Sequence, residues 1–182
     1  MSQIVHDPSR RQRYRFHRAD DEALQVEVWA SPGANVPAHV HPAQEERFQV
    51  LSGTVTFWVD GRRTNATAGA TVVAPPGSVH AFLNDDGEAH LMAEVRPALD
   101  LQEFLESAAG LARAGRITAR GVPKGPRALL QVAVLARHFE PCTYLARPPL
   151  RVQRALLRPL ARVARLFGYR APGVIAAARS VP

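Results

Sequence analysis

Turn residues recur so often between Leu24 and Pro97 that a helix of ordinary length has no room there. Ser31-Pro32-Gly33, Ser52-Gly53, Asp60-Gly61, Ala68-Gly69-Ala70, Pro75-Pro76-Gly77 and Asp85-Asp86-Gly87 mark the breaks. The runs between them are short: Leu24–Ala30, Val36–His41, Glu46–Leu51, Thr54–Val59, Arg62–Asn65, Thr71–Ala74, His80–Leu83 and Ala89–Arg96. Leu24 to Ala30 alternates apolar and polar residues, the period of a half-buried strand. Asp60-Gly61 directly follows Val55–Val59 and suits a type I′ hairpin, which needs positive φ at both central residues. Many short strands at this spacing predict an all-β sandwich or barrel.

Beyond Pro97 the period changes. Asp100 and Glu103 have the spacing of a capping box, and Leu101, Phe104, Leu105, Ala108, Leu111 and Ala112 then recur at helical intervals. Gly115 is the predicted stop. Pro126 opens a second helix that runs to about Phe139. A third helical stretch covers Pro149 to Phe167, interrupted at Pro159 and closed by Gly168. This helical half shows no self-sufficient core, so it is expected to pack on the β unit or on a second subunit.

Charge divides the chain at the same place. Residues 1–97 carry a net −3 and residues 98–182 a net +10. Three regions follow: a basic N-terminal arm over 1–23 containing Arg10, Arg11, Arg13, Arg15 and Arg18, a β unit over 24–97, and a helical extension over 98–182. Arg151, Arg154, Arg158, Arg162 and Arg165 form a stripe about 80° wide on an ideal helix. Such a stripe can meet an anionic membrane or nucleic acid. Pro159 breaks the geometry and there is no helix-turn-helix, so the reading adopted is a solvated basic face. Nucleic acid is not an expected partner, and peripheral contact with anionic membrane is a minor alternative.

The single Cys142 excludes an intramolecular disulfide and favours a reducing compartment. Met1 to Arg18 has no apolar h-region, and no apolar run is long enough to span a bilayer. A soluble, cytoplasmic protein is expected. There is no phosphate-binding glycine loop and no CxxC pair. Cys142, four residues after His138, reads as a buried thiol.

His39 and His41 stand one residue apart, with a carboxylate four or five further on, at Glu45 or Glu46. On a strand, residues i and i+2 share a face, so the two imidazoles project side by side. His80 follows behind the Pro-Pro-Gly turn. Three imidazoles and a carboxylate suit a borderline divalent metal: iron, manganese, nickel, copper or zinc.

These residues sit in two motifs, Gly33-x5-His39-x-His41-x4-Glu46-x6-Gly53 and Gly69-x5-Pro75-x-Gly77-x2-His80-x3-Asn84. In both, the chain resembles the cupin superfamily over roughly residues 24–97. The resemblance implies a mainly β fold, a cupin jelly-roll barrel followed by the helical extension, with metal ligands at His39, His41, Glu46 and His80. It selects Glu46 over Glu45 by the distance to Gly53. Strand parity agrees, because Glu46, Phe48 and Val50 then share the inward face. Asn84 is expected to fix the turn of the second motif. Phe48, Val50, Phe57 and Phe82 are the expected apolar walls of a substrate pocket. Gln44, Arg47 and Gln49 are the candidates to support the ligands. On the last strand either His90, Met92 and Glu94 face inward, which would place Glu94 near the metal as an acid/base, or Leu91, Ala93 and Val95 do, leaving Glu94 at the surface; the second is preferred.

Four protein ligands on a six-coordinate metal leave two positions for a bidentate substrate, or for substrate and dioxygen. The expected function is a metal-dependent oxygenase acting on a small aromatic or dicarbonyl molecule, in a homodimer. Alternatives are a non-catalytic small-molecule sensing cupin and a cupin isomerase, epimerase or decarboxylase.

Overall fold

The computed structural model describes residues 4–118 and 120–171. Ten strands come first: β1 (Ile4–Asp7), β2 (Gln12–Ala19), β3 (Leu24–Ala30), β4 (Ala34–Val40), β5 (Glu45–Ser52), β6 (Thr54–Val59), β7 (Arg62–Thr67), β8 (Thr71–Ala74), β9 (Val79–Asn84) and β10 (Ala89–Arg96). Helices α1 (Leu101–Arg113) and α2 (Pro126–His138), the short strand β11 (Tyr144–Leu145) and helix α3 (Leu150–Leu166) follow. Two antiparallel sheets face each other, ordered β1-β2-β3-β10-β5-β8 and β11-β4-β9-β6-β7. The fold is mainly β, with helices gathered at the C-terminal end.

The core comes from alternation. Leu24, Val26, Val28 and Ala30 of β3 are buried, as are Phe48 and Val50 of β5 and Leu91, Ala93 and Val95 of β10. Glu94 points outward, where Gln25 and Arg96 donate to it. Each fully buried Val, Leu or Phe contributes roughly 1.5–3 kcal/mol, so a one-residue slip of any strand would exchange this set for charged neighbours. Asp60 (φ 48°) and Gly61 (φ 81°) make the expected tight hairpin. Gly53 is required by space: a Cβ there would lie 2.8 Å from Ala89 Cα. The Asn84 amide donates to the carbonyls of Ala30 (2.7 Å) and Gly87 (2.9 Å), so it fixes the β9–β10 turn rather than the Pro-Pro-Gly turn inside the second motif.

Four expectations are corrected. Residues 4–19 are not a loose arm, because β1 and β2 extend the first sheet next to β3; residues 1–3 lie outside the described residues. Their alternation explains it. Tyr14 and Phe16 enter the core, while the Arg13 and Arg15 guanidiniums lie over the Trp29 ring at 5.6 and 5.0 Å. Arg13 also pairs with Glu88 and Arg15 with Glu27. Asp100 occupies the N-cap position of α1 but makes no side-chain capping bond. Pro159 does not interrupt α3, which runs through it. The carbonyl left without a helical donor belongs to exposed Ala155, where water reaches it. Lastly, the helical half has a small core of its own, built from Ala133, Val134, Leu135, Phe139, Ala161 and Ala164. Phe104 of α1 joins it to the barrel, packing on the barrel core and lying 5.6 Å from Phe139.

Candidate metal centre

Three strands of the two facing sheets converge on one point. β4 carries His39, and His41 stands just past its end. In the β4–β9 pairing His39 lies opposite His80. From the other sheet β5 presents Glu46. The ring centroids of His39 and His80 are 4.1 Å apart, those of His39 and His41 4.9 Å, and those of His41 and His80 5.3 Å. Glu46 Oε2 is 3.0 Å from His80 Nε2 and 3.4 Å from His41 Nε2. One ligand atom from each of the four residues fits within 4.8 Å of all the others. An ion bound at about 2.1 Å spans roughly 4.2 Å between opposite ligands, so small shifts close the cluster on a metal.

The histidines are held in the tautomer a metal requires. Nδ1 of His39 is 3.0 Å from the Pro37 carbonyl, that of His41 2.9 Å from the Cys142 carbonyl, and that of His80 3.2 Å from the Ser78 carbonyl. A carbonyl only accepts, so each Nδ1 carries the proton. In the neutral form of each ring Nε2 then carries the lone pair, the arrangement found in metal-bound imidazoles.

Electrostatics point the same way. Burial disfavours the charged form of Glu46, but hydrogen bonds from His41 and His80 outweigh it and hold the carboxyl well below the usual range. Burial also opposes charge on His41, yet its bonds to the Cys142 carbonyl and to Glu46 push it up to about 10. His39 is held well below its ordinary value by desolvation and by the two neighbouring imidazoles. A buried carboxylate thus draws positive charge into the cluster, and the donor set fits a divalent transition ion in that place.

Comparison with known proteins agrees with this geometry. The profile of the Cupin domain family matches residues 26–95. Residues 26–95 are a cupin domain. Among solved structures, an RmlC-like cupin from Shewanella frigidimarina superposes with a TM-score of 0.52 at 22% identity, covering 56% of this chain and 89% of that one. The structure of KdgF from Halomonas sp. gives 0.51 at 17% identity, covering 55% and 90%. At these identities the likeness is one of fold. No curated protein sequence matches the chain significantly.

The residues expected to line a pocket lie in the packed core of the cupin barrel. Val50 is buried, and Phe48, Phe57 and Phe82 form a ring cluster with centroids 5.0, 5.7 and 6.0 Å apart. Trp29 faces outward and stacks on His90 at 5.0 Å. Arg47 and Gln49 are exposed on the outer face of β5 and cannot support the ligands.

Gln44 does support them, through a route sequence reasoning missed. It is fully buried, donates to the carbonyls of Pro97 (2.9 Å) and Ala98 (2.8 Å), and accepts from Cys142 Sγ (3.2 Å). Cys142 is therefore the residue that ties Gln44 to His41. β11 then pairs with β4, Leu145 opposite His39. A second missed group lies on β2. Tyr14 donates to Gln12 Oε1 at 2.5 Å, and the Gln12 amide nitrogen is buried without a partner. Arg10, in the β1–β2 turn, acts electrostatically on both Tyr14 and His39. Alternation in Gln12-Arg13-Tyr14-Arg15-Phe16 was the available signal.

Proposed function

We propose that this cupin is a metal-dependent oxygenase acting on a small aromatic or dicarbonyl molecule. The supporting observation is the set of three imidazoles, each with Nδ1 bonded to a main-chain carbonyl, gathered around one buried carboxylate. A transition metal bound there would supply a Lewis-acidic, redox-capable centre. The chain's own groups do the rest. His39, His41, Glu46 and His80 would hold the ion, while Phe48, Phe57 and Phe82, packed at tilted angles to one another, would offer an apolar wall.

Proton-transfer chemistry has less support. Tyr14 is pushed well above its ordinary range, chiefly by burial, and so keeps its proton. Buried Asp7 is occupied by the β1–β2 turn, accepting from the Ser9 hydroxyl and the Ser9 and Arg10 amides. That weighs against an isomerase or epimerase. The test is elemental analysis of the purified protein, followed by dioxygen uptake with small aromatic and dicarbonyl candidates. About one transition metal per chain and substrate-dependent uptake are expected, both lost in Glu46→Gln. Protein without stoichiometric metal overturns the reading; loaded protein that consumes no dioxygen favours a sensing role.

A further inference from the structure

Helix α3 has three faces. At about 100° per residue, Arg151, Arg154, Arg158, Arg162 and Arg165 share one stripe. Ala161 and Ala164 are buried in the helical core, with Leu157 and Leu160 beside them. The third sector, about 100° wide, holds Val152, Leu156, Val163, Leu166 and, just past the helix end, Phe167. All five are exposed, Leu166 by 86% and Phe167 by 73%. The arginine stripe lies between the buried face and this apolar face.

The arginines are largely unspent. Among the described residues Arg154 pairs with Glu140, while Arg151, Arg158, Arg162 and Arg165 have no ion pair. No acidic residue occurs in α3. At its C-terminal end Arg165, Arg170 and His138 line an open cleft of about 480 Å³ together with Leu166 and Val134, so cationic and apolar groups meet there too.

We propose that α3 is an interfacial helix that lays its Val152–Leu156–Val163–Leu166–Phe167 face into an anionic phospholipid surface, with the arginine stripe at the headgroup phosphates. An exposed apolar sector flanked by arginine is the pattern of a helix lying in a membrane interface. Charge complementarity selects the occupant. A second copy would bring two arginine stripes together on regions that each carry +10. A nucleic acid would neutralise the arginines and leave the leucines and Phe167 in water. An anionic bilayer satisfies both faces. No described helix is long and apolar enough to cross a membrane, so the helix lies on the surface.

Full-length protein sedimented with vesicles of phosphatidylcholine mixed with phosphatidylserine tests this, against vesicles of phosphatidylcholine alone. Pelleting with the anionic vesicles that weakens with salt is expected, with little on the neutral ones. Each arginine near such a surface is worth roughly fivefold, so Arg158→Gln with Arg162→Gln should weaken binding about 25-fold. Leu156→Ser with Phe167→Ser should weaken it by about tenfold or more. All four side chains are exposed, so thermal unfolding and metal content should stay at parental values. No pelleting, equal pelleting with neutral vesicles, or unchanged pelleting of the Leu156→Ser, Phe167→Ser variant overturns the proposal. So does a duplex DNA complex that the arginine pair abolishes while vesicle binding is absent.

Discussion

His41 is the residue through which the centre responds to protons. Its imidazole, raised to about 10 by the Cys142 carbonyl and Glu46 against the opposition of burial, carries a proton in the metal-free protein at neutral pH. The sign follows. A group whose folded value is raised stabilises the fold below its unfolded value of 6.5, and that contribution disappears as pH rises through about 10. Denaturant unfolding of metal-free protein should therefore weaken across that window, and His41→Ala should flatten the dependence. Metal needs the Nε2 lone pair, so binding at neutral pH should release a proton. Calorimetric titration in two buffers of different ionisation enthalpy reads that release; equal heats would show His41 already neutral. Glu46 works in the opposite direction: its depressed carboxyl stabilises the fold above its unfolded value and is lost as pH falls.

At the scale of elements, the segment after α2 matters more to the centre than its length suggests. The Phe139 carbonyl accepts from the amides of Cys142 (2.9 Å) and Thr143 (2.8 Å), and this turn aims the Cys142 carbonyl at His41. Phe139 itself is buried between Phe104 and the α2–α3 core. Phe139→Ala should cost about 3–5 kcal/mol, measurable by thermal unfolding. It should also loosen metal binding by roughly 10–100-fold, the usual effect of disturbing a partner that orients a ligand. Rescue of metal affinity by Phe139→Leu would separate the loop's position from the aromatic ring. β2 shows the same economy: its outward arginines clasp Trp29 and Glu27 while its inward residues build one wall of the barrel.

At the scale of the whole molecule, barrel and helices share a boundary core through Leu101, Phe104 and Leu105, so they should unfold together. Both tryptophans, Trp29 and Trp58, lie in the barrel, and all three helices lie outside it. Tryptophan fluorescence and the far-ultraviolet helical signal should therefore trace one coincident transition. A helical signal lost at lower denaturant would show the extension to be an independent unit.

Local chemistry made most of this protein readable in advance. Turn dipeptides and period-two alternation place β3 to β10 close to their observed limits, because both depend on residues adjacent in the chain. The cluster His39, His41, Glu46 and His80 was legible because its spacing repeats that of a known family. Other features were decided by the tertiary structure. Whether Arg13 and Arg15 sit on an arm or a strand depends on Trp29 and Glu27 across a sheet. That a carbonyl at position 142 orients an imidazole at 41, or that the apolar face of α3 is left uncovered, follows from contacts and packing between distant segments. No window of sequence contains both partners of such a contact.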